Sequence, residues 1–295
     1  MNSKNKIVTL VHSNLLAIED LSNYFQNTLS LQINKKTKLA ERAYDFYLES
    51  LTQDQNQEMR NKCHLEKIDI CIQTLANRDK KILLSDMDAT IIENETLDDL
   101  VKISGVEANI DETSKLAMEG KIDIKTTLNT RLNYLKGKPK TLIDQALAGI
   151  KFHPGSKVLV KTLNQKGFIT SLVTGGFAPI STFVGKRLGF QNIISNEFKF
   201  KNDCFTGEYV PITAGNNSKL NYLNKLTEEE NISKSKVVAI GDGANDLGML
   251  TNAGLGVGYH AHQIVRDQVD NQVFFNDLET ILYYLGIEQK EFDLN

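Results

Sequence analysis

Residues 83–96 read LLSDMDATIIENET, in which an apolar run leads directly into two closely spaced acids. The short apolar run Ile82–Ser85 is typical of a buried strand, and it ends directly in Asp86 and Asp88. In an open α/β sheet, ligands bind beyond the carboxyl ends of the strands. A divalent cation such as Mg²⁺, which prefers oxygen ligands, relieves the repulsion between two neighbouring carboxylates. One carboxylate can then act as a nucleophile while the other transfers protons. A loop whose acids only cap a helix is the alternative.

The segment SLVTGGFAP, residues 171–179, is the second informative strand end. The predicted strand Ile169–Val173 is followed by the hydroxyl of Thr174 and then by Gly175 and Gly176. Glycines let the backbone approach a ligand closely, and a helix N-terminus offers free N–H groups to an anion. An ordinary turn between a strand and a helix has the same composition, so both interpretations stay open.

A second acid pair follows the predicted strand Val237–Ile240. Asp242 and Asp246 lie in GDGAND, residues 241–246, together with Asn245. The third glycine of a dinucleotide-binding fingerprint would fall on Asp246, which excludes that fingerprint. Lys219 precedes a predicted helix, and a lysine can neutralise a transferring phosphoryl group. Taken alone, Lys219 is equally typical of a solvated surface.

The alternation of strands and helices after Lys81 predicts an α/β fold with a doubly wound parallel sheet. Helices are expected at Ser156–Gln165 and Pro179–Leu188, and a strand is expected after the turn at Gly254. The first two strands of the sheet are separated by about 80 residues, which is too long for a simple crossover. We therefore predict an inserted helical cap at about 94–153, with helices at Thr113–Met118 and Ile124–Leu135.

The chain is expected to divide near residue 80, into a small N-terminal α/β domain (1–80) and a larger domain (81–295). The first part has the order β-α-β-β-α-β of a split-βαβ unit. Its elements are predicted at Ile7–Val11, Leu15–Leu29, Leu31–Ile33, Ala43–Leu48, Asn56–Lys67 and Ile68–Leu75.

Composition excludes several classes of protein. The 295 residues carry 34 Lys+Arg against 37 Asp+Glu, so the net charge of −3 gives no reason to expect nucleic-acid or anionic-membrane binding. No apolar run is long enough to span a membrane, and no signal peptide is recognised. The three cysteines form no CxxC pair, which argues against a disulfide framework and a zinc site. A cytoplasmic protein is expected.

The order of the motifs resembles the four-motif pattern of the haloacid dehalogenase superfamily: an acid pair, a hydroxyl before glycines, a lysine and a second acid pair. The match covers residues from about 82 to 285. Within the superfamily the chain resembles the phosphoserine phosphatases, through the segments DMDATIIENETLDDL, AMEGKID, VTGGFAP and GDGANDLGMLTNAGLGVGYHA. The resemblance implies an HAD-like Rossmannoid core beneath the cap.

The resemblance also implies catalytic roles. Asp86 would be the nucleophile that forms an aspartyl-phosphate, and Asp88 the general acid and then the base. Asp86, the backbone carbonyl of Asp88, and Asp242 would bind Mg²⁺. Asp246 would support the metal from outside its ligand shell and orient the catalytic Lys219.

Further residues would bind the substrate. Thr174, Gly175, Gly176, Asn245 and Lys219 would hold the phosphate group.

Glu95 would face the amino group of the substrate and Arg131 its carboxylate, with Met118 packed over the site. Two departures from the family pattern stand out. Ala89 replaces a frequent Ser, and His262 replaces a common Lys.

The resemblance implies Mg²⁺-dependent hydrolysis of O-phospho-L-serine to L-serine and phosphate, the last step of serine biosynthesis. Hydrolysis of another small phosphate ester and phosphotransfer to an alcohol such as homoserine are alternatives with the same fold. A binding protein that has lost catalysis is an alternative of another class. For residues 1–80, a homodimer contact and amino-acid regulation both stay open.

Overall fold

The computed structural model describes residues 5–12, 15–106, 124–213, 215 and 217–294. Met118 and the predicted helix Thr113–Met118 lie outside the described residues. The strands are β1 (Lys6–Val11), β2 (Ile33–Ala40), β3 (Ala43–Leu48), β4 (Asp69–Thr74), β5 (Ile82–Ser85), β6 (Ile169–Ala178), β7 (Asn192–Lys201), β8 (Cys204–Val210), β9 (Val237–Gly241), β10 (Leu255–Tyr259) and β11 (Asn271–Val273).

The described residues also form eleven α-helices. They are α1 (Leu15–Asn27), α2 (Gln53–Leu65), α3 (Thr96–Ile103), α4 (Ile124–Leu135), α5 (Leu142–Ala148), α6 (Ser156–Gln165), α7 (Ile180–Leu188), α8 (Ser218–Glu229), α9 (Leu247–Asn252), α10 (Gln263–Arg266) and α11 (Thr280–Tyr284).

The larger sheet has the strand order β11-β10-β9-β5-β6-β7-β8. All of its strands are parallel except β8, which pairs antiparallel with β7 at the edge. β5, β6 and β9 are buried along nearly their whole length, as expected for strands covered by helices on both faces. The predicted α/β fold is confirmed, and the carboxyl ends of β5, β6 and β9 lie side by side.

One expected boundary in this sheet is wrong. β6 does not end at Val173 but continues to Ala178, because it contains a bulge. Val173 pairs with Ile194 and Phe177 with Asn196, so the three residues 174–176 of β6 lie opposite the single residue Ser195 of β7. The bulge turns Thr174, Gly175 and Gly176 out of the ladder, as bulges beside functional sites commonly do. Helix α7 starts only at Ile180 and does not place its N-terminus directly after Gly176.

The cap helices α3, α4 and α5 lie between β5 and β6 in sequence, and α4 has its predicted bounds. The chain passes from the core to the cap before α3 and returns after α5, and an isolated bridge between Ile92 and Phe152 pairs these two passages. The β7–β8 hairpin also contacts the cap. Gly137 N donates to Phe205 O over 2.8 Å, and Phe205 N donates to Lys138 O over 2.9 Å.

Residues 6–74 form a four-stranded antiparallel sheet of order β2-β3-β1-β4, carrying α1 and α2. The predicted split-βαβ order is confirmed. The prediction placed the second strand at Leu31–Ile33, whereas β2 spans Ile33–Ala40. Its sequence INKKTKLA exposes three lysines at a sheet edge, so it lacks the apolar run that identifies a buried strand. Helix α2 begins earlier than expected, because Thr52 and Gln55 form a capping box.

Both faces of this N-terminal sheet are covered. Val8, Leu10 and Phe46 face the cluster that contains α1 and α2. On the opposite face, Val11, Ala43 and Cys71 belong to the same hydrophobic cluster as Tyr283 and Tyr284 of α11 and the core of the larger sheet. The N-terminal sheet therefore shares a core with the rest of the chain.

Candidate active site

One cavity lies at the carboxyl ends of β5 and β6, beneath the cap. It brings together eight of the residues singled out from the sequence, and five others that were not. The lining residues are Asp86, Asp88, Glu95, Thr96, Leu97, Asp98, Thr127, Leu128, Arg131, Thr174, Gly175, Gly176 and Asn245. Three more of the predicted site residues, Lys219, Asp242 and Asp246, are buried directly behind Asp86.

Lys219 joins the first and last strand ends of the site. Its Nζ lies 2.6 Å from Asp86 Oδ1 and 2.6 Å from Asp246 Oδ1. The backbone N–H of Met87 also donates to Asp86 Oδ1 over 2.7 Å. No hydrogen bond to Asp86 Oδ2 comes from the residues that the structure describes, so this oxygen is left for a ligand.

The electrostatics follow from burial of several acids around one cation. Burial raises the pKa of Asp86 well above its usual range, with a further increase from Asp246, while Lys219 opposes the shift. Burial and Asp246 likewise raise the pKa of Asp242 to about 7. Burial would lower the pKa of Lys219, but Asp246 and Asp86 outweigh it and raise that pKa. Three acids, Asp86, Asp242 and Asp246, surround the single ammonium group of Lys219. This excess of acidic groups favours binding of a cation.

Asp246 holds the loop after β9. Its Oδ2 accepts the backbone N–H groups of Asp242 and Gly243, each over 3.1 Å. The close approach depends on Gly241, because a Cβ at that position would lie 2.4 Å from Asp246 Cγ. Both Asp246 oxygens thus have donors, whereas the contact from the Thr90 hydroxyl to Asp242 Oδ1 is longer, at 3.3 Å.

Asp88 connects the first strand end with the bulge in β6. Its Oδ1 accepts the Thr96 N–H over 2.8 Å, and the Thr174 hydroxyl lies 3.2 Å from its Oδ2. A Cβ on Gly176 would meet that same Oδ2 at 3.0 Å, so a larger residue there would push against the Asp88 carboxyl. Burial raises the pKa of Asp88, and these hydrogen bonds oppose the shift. A carboxyl group with a raised pKa suits a general acid.

The cap side of the cavity contains a buried ion pair that the sequence analysis missed. Arg131 Nε donates to Asp98 Oδ1, and both side chains are more than nine-tenths buried. Arg131 also donates to Thr127 O over 3.2 Å. Asp98 lies three residues after Glu95, whose pKa is raised well above its usual range by burial and by Asp88. Asp98 falls within ENETLDD, but its sequence alone does not distinguish it from Asp99.

The donor set fits a divalent metal ion. Asp86, Asp242 and Asp246 offer carboxylate oxygens that all lie within 4.8 Å of one another. Asn245 Oδ1 is buried and finds no hydrogen-bond donor among the described residues, although it lines the same cavity. Hard cations of the Mg²⁺ and Ca²⁺ type are bound by such carboxylate and amide oxygens. His262 Nε2 stays 3.8 Å from Asp242 Oδ2, beyond hydrogen-bond distance.

Comparison with known proteins identifies the family of the chain. A sequence model of the haloacid dehalogenase-like hydrolases matches residues 83–251. The chain belongs to this family. It is 32% identical over 233 residues to the phosphoserine phosphatase of Archaeoglobus fulgidus, covering 77% of this chain and 68% of that protein.

Two solved structures extend the comparison. A substrate-bound phosphoserine phosphatase complex is similar with a TM-score of 0.67 and 32% identity, covering 70% of this chain and 98% of that one. A HAD family hydrolase from Salmonella enterica serovar Typhi is similar with a TM-score of 0.86 and 25% identity, covering 96% of this chain and 99% of that one. The second likeness includes most of the N-terminal sheet as well as the hydrolase core. Among the described residues, no helix has the length and apolar character needed to cross a membrane.

Proposed function

We propose that this chain is a phosphoserine phosphatase, which hydrolyses O-phospho-L-serine to L-serine and phosphate as the last step of serine biosynthesis. The main support for this proposal is the set of residues that line one cavity. A single cavity has Asp86 and Asp88 after β5 and Gly175 in the bulge of β6 on one side, and Glu95 with Arg131 on the other. The first side suits phosphoryl transfer, and the second suits the two charged groups of an amino acid.

The carboxylates divide the chemistry. Asp86 attacks phosphorus, and the bond between phosphorus and the serine oxygen breaks as Asp88 donates its proton to that oxygen. A water molecule then attacks the aspartyl-phosphate, Asp88 takes the proton from the water, and the Asp86 carboxylate is released with phosphate. The first step requires a protonated Asp88, and burial raises the pKa of Asp88 in the direction that favours the protonated form.

The remaining groups at the strand ends hold the phosphoryl group. We assign its oxygens to the Thr174 hydroxyl, the backbone of Gly175 and Gly176, Asn245 and the Lys219 ammonium. A Cβ on Gly175 would meet nothing within 4 Å, so this backbone borders open space in the cavity. Donors fixed in advance around the phosphoryl group are the main source of rate enhancement in phosphoryl transfer.

The proposed metal is Mg²⁺, held by side-chain oxygens of Asp86 and Asp242 and by the backbone carbonyl of Asp88. When bound, it supplies positive charge to the phosphoryl oxygens. Asp246 is assigned a supporting role, because Lys219 and two backbone N–H groups already occupy its oxygens. Metal binding should be favourable because it relieves the repulsion between carboxylates that the site holds close together.

Specificity for an amino acid comes from the cap. We assign Arg131 to the substrate carboxylate and Glu95 to its ammonium group, with Met118 over the site. A guanidinium fixed by Asp98 is oriented before the substrate arrives, and an Arg–carboxylate pair is geometrically selective.

We further propose a division into residues 1–80 and 81–295, with the cap at about 94–153. A homodimer through residues 1–80 would use the outer side of α1 and α2, because the opposite sheet face is packed. The β2 edge, with exposed Lys35, Lys36 and Lys38, would repel a second copy. The cytoplasm is the proposed compartment, since all three cysteines are free thiols.

The test is phosphate release from O-phospho-L-serine beside O-phosphoethanolamine and an aryl phosphate, with Mg²⁺ and with a chelator. We expect metal-dependent release that prefers phosphoserine. Equal turnover of all three esters would retain the phosphatase chemistry and contradict the roles of Glu95 and Arg131. Absence of turnover for every ester, in metal-loaded and correctly folded enzyme, would contradict the proposed function.

A further inference from the structure

The groups proposed to hold the phosphoryl group come from distant parts of the chain. Thr174 and Gly175 belong to the bulge in β6, whereas Lys219 lies on α8. A bulge leaves backbone groups without ladder partners, so something else must fix its conformation. Asn196, opposite Phe177 on β7, does this: its Nδ2 donates to Gly175 O over 2.8 Å.

The same side-chain amide reaches the segment that precedes α8. Asn196 Oδ1 accepts the backbone N–H groups of Ile212 and Thr213, each over 2.9 Å. The Asn196 side chain is fully buried, where an unmade hydrogen bond is expensive. One asparagine therefore ties the bulge to the chain at 212–213.

Thr213 makes a second connection between the same two segments. Its hydroxyl donates to Thr174 O over 2.6 Å. Its own carbonyl accepts the Ser218 hydroxyl over 2.7 Å. Ser218 is the first residue of α8, and the next residue is Lys219, whose Nζ lies 2.6 Å from Asp86 Oδ1.

We infer that Asn196 and Thr213 are positioning residues for phosphoryl transfer, which set the distance between the Thr174–Gly175 backbone and Lys219. The inference rests on the proposed function. Neither residue lines the cavity, so neither touches substrate, and both act through the groups that do. A reacting group displaced by about 1 Å can cost about 10²-fold in rate, so such a brace affects turnover as well as stability.

A buried polar network can also serve stability alone, and the test must separate the two roles. Thr213→Val removes the hydroxyl without changing the side-chain volume much, and Thr213→Ser retains it. We expect Thr213→Val to lower kcat by about 10–100-fold at saturating Mg²⁺, with a smaller change in KM. Thr213→Ser should stay within about threefold of the wild type, because the hydrogen bond to Thr174 O persists.

Asn196→Asp provides an independent variant. It keeps an acceptor for the N–H groups of Ile212 and Thr213 but loses the donor to Gly175 O. The matched control is Asn192→Asp on the same strand, since Asn192 contacts Ser171 and not the bulge. We expect kcat to fall in Asn196→Asp and to remain near the wild-type value in Asn192→Asp.

Each variant is assayed on O-phospho-L-serine and on p-nitrophenyl phosphate, which has no amino-acid groups for the cap to bind. The inference predicts the same fold-loss of kcat on both substrates. Wild-type kcat in folded Thr213→Val, or equal losses in Thr213→Val and Thr213→Ser, would overturn it. Inactivity of the wild type on every ester would overturn the proposed function and this inference together. An active wild type with an unaffected Thr213→Val variant would overturn this inference alone.

Discussion

Lys219 Nζ lies 2.6 Å from Asp86 Oδ1 and 2.6 Å from Asp246 Oδ1, so two carboxylates from different strand ends share one buried ammonium. This contact joins β5 to the loop after β9 at the place where phosphoryl transfer is proposed. The lysine both orients Asp86 and supplies positive charge, and its loss would leave two buried carboxylates facing each other.

Replacing Lys219 by Met should lower kcat/KM for O-phospho-L-serine by about 10²–10³-fold, because a preorganised charge next to the reacting group is removed. Lys225→Met is the matched control, since Lys225 lies on the same helix with an exposed side chain. Steady-state kinetics at saturating Mg²⁺ measure both. Turnover of Lys219→Met similar to that of Lys225→Met would contradict the role of Lys219.

The buried pair of Asp98 and Arg131 should act on specificity. Asp98→Asn removes the charge that orients the guanidinium, so kcat/KM for O-phospho-L-serine is expected to fall by about 10–100-fold. For O-phosphoethanolamine, which has no carboxylate, the fall should be much smaller. The ratio of the two values is the measurement, and Asp144→Asn at an exposed cap position is the control. An equal fall for both substrates would contradict a role in carboxylate recognition.

The N-terminal sheet is expected to stabilise the whole chain. Arg78 donates to Asp45, to the Thr9 hydroxyl and to the carbonyl of Tyr283 on α11. Asp45 is 1% exposed, so Arg78→Met leaves a buried carboxylate unpaired and should lower the free energy of unfolding by about 3–5 kcal/mol. The exposed neighbour Lys81 provides the control Lys81→Met. Urea titration measures the loss, and a loss below about 1 kcal/mol would contradict this role.

Lys80 gives a pH dependence of stability. Its ammonium is buried among carbonyl groups of Asn77 and Ser235, and burial lowers its pKa to about 8. In the unfolded chain a lysine has a pKa of about 10.4, so between these values the unfolded state binds more protons than the native state. The contribution of Lys80 to the free energy of unfolding should therefore increase as the pH rises from 8 towards 10.

The measurement is the free energy of unfolding at pH 7.5, 9 and 10, compared between wild type and Lys80→Met. The free energy of unfolding of the wild type, relative to that of Lys80→Met, should increase as the pH rises from 8 towards 10. A difference that is constant over this range would show that Lys80 keeps an ordinary pKa in the folded protein.

Much of the core was predictable from the sequence. β5 and β9 are buried on both faces, so their sequences are continuous apolar runs that end where the acids begin. Helix α4 was predicted at its observed bounds, and the β-α-β-β-α-β order of residues 6–74 was predicted as well. These features depend on local composition, which a single sequence displays.

What the sequence did not reveal depends on contacts between distant residues. Asp98 and Arg131 are 33 residues apart, and only the packing of α3 against α4 brings them together. Asn196 was not singled out because its contact with Gly175 O depends on the bulge in β6, which the sequence did not predict. β2 was misplaced because an edge strand with three exposed lysines resembles a loop in composition. The placement of Met118 lies outside the described residues and stays a prediction.

The covalent intermediate proposed on Asp86 can be trapped directly. Enzyme loaded with Mg²⁺ is mixed with O-phospho-L-serine, quenched in acid within milliseconds and digested for peptide mass analysis. We predict one added phosphoryl group on the peptide that contains Asp86, and none in Asp86→Asn. Rapid phosphate release with an unmodified Asp86, or a phosphoryl group on another residue, would contradict the account.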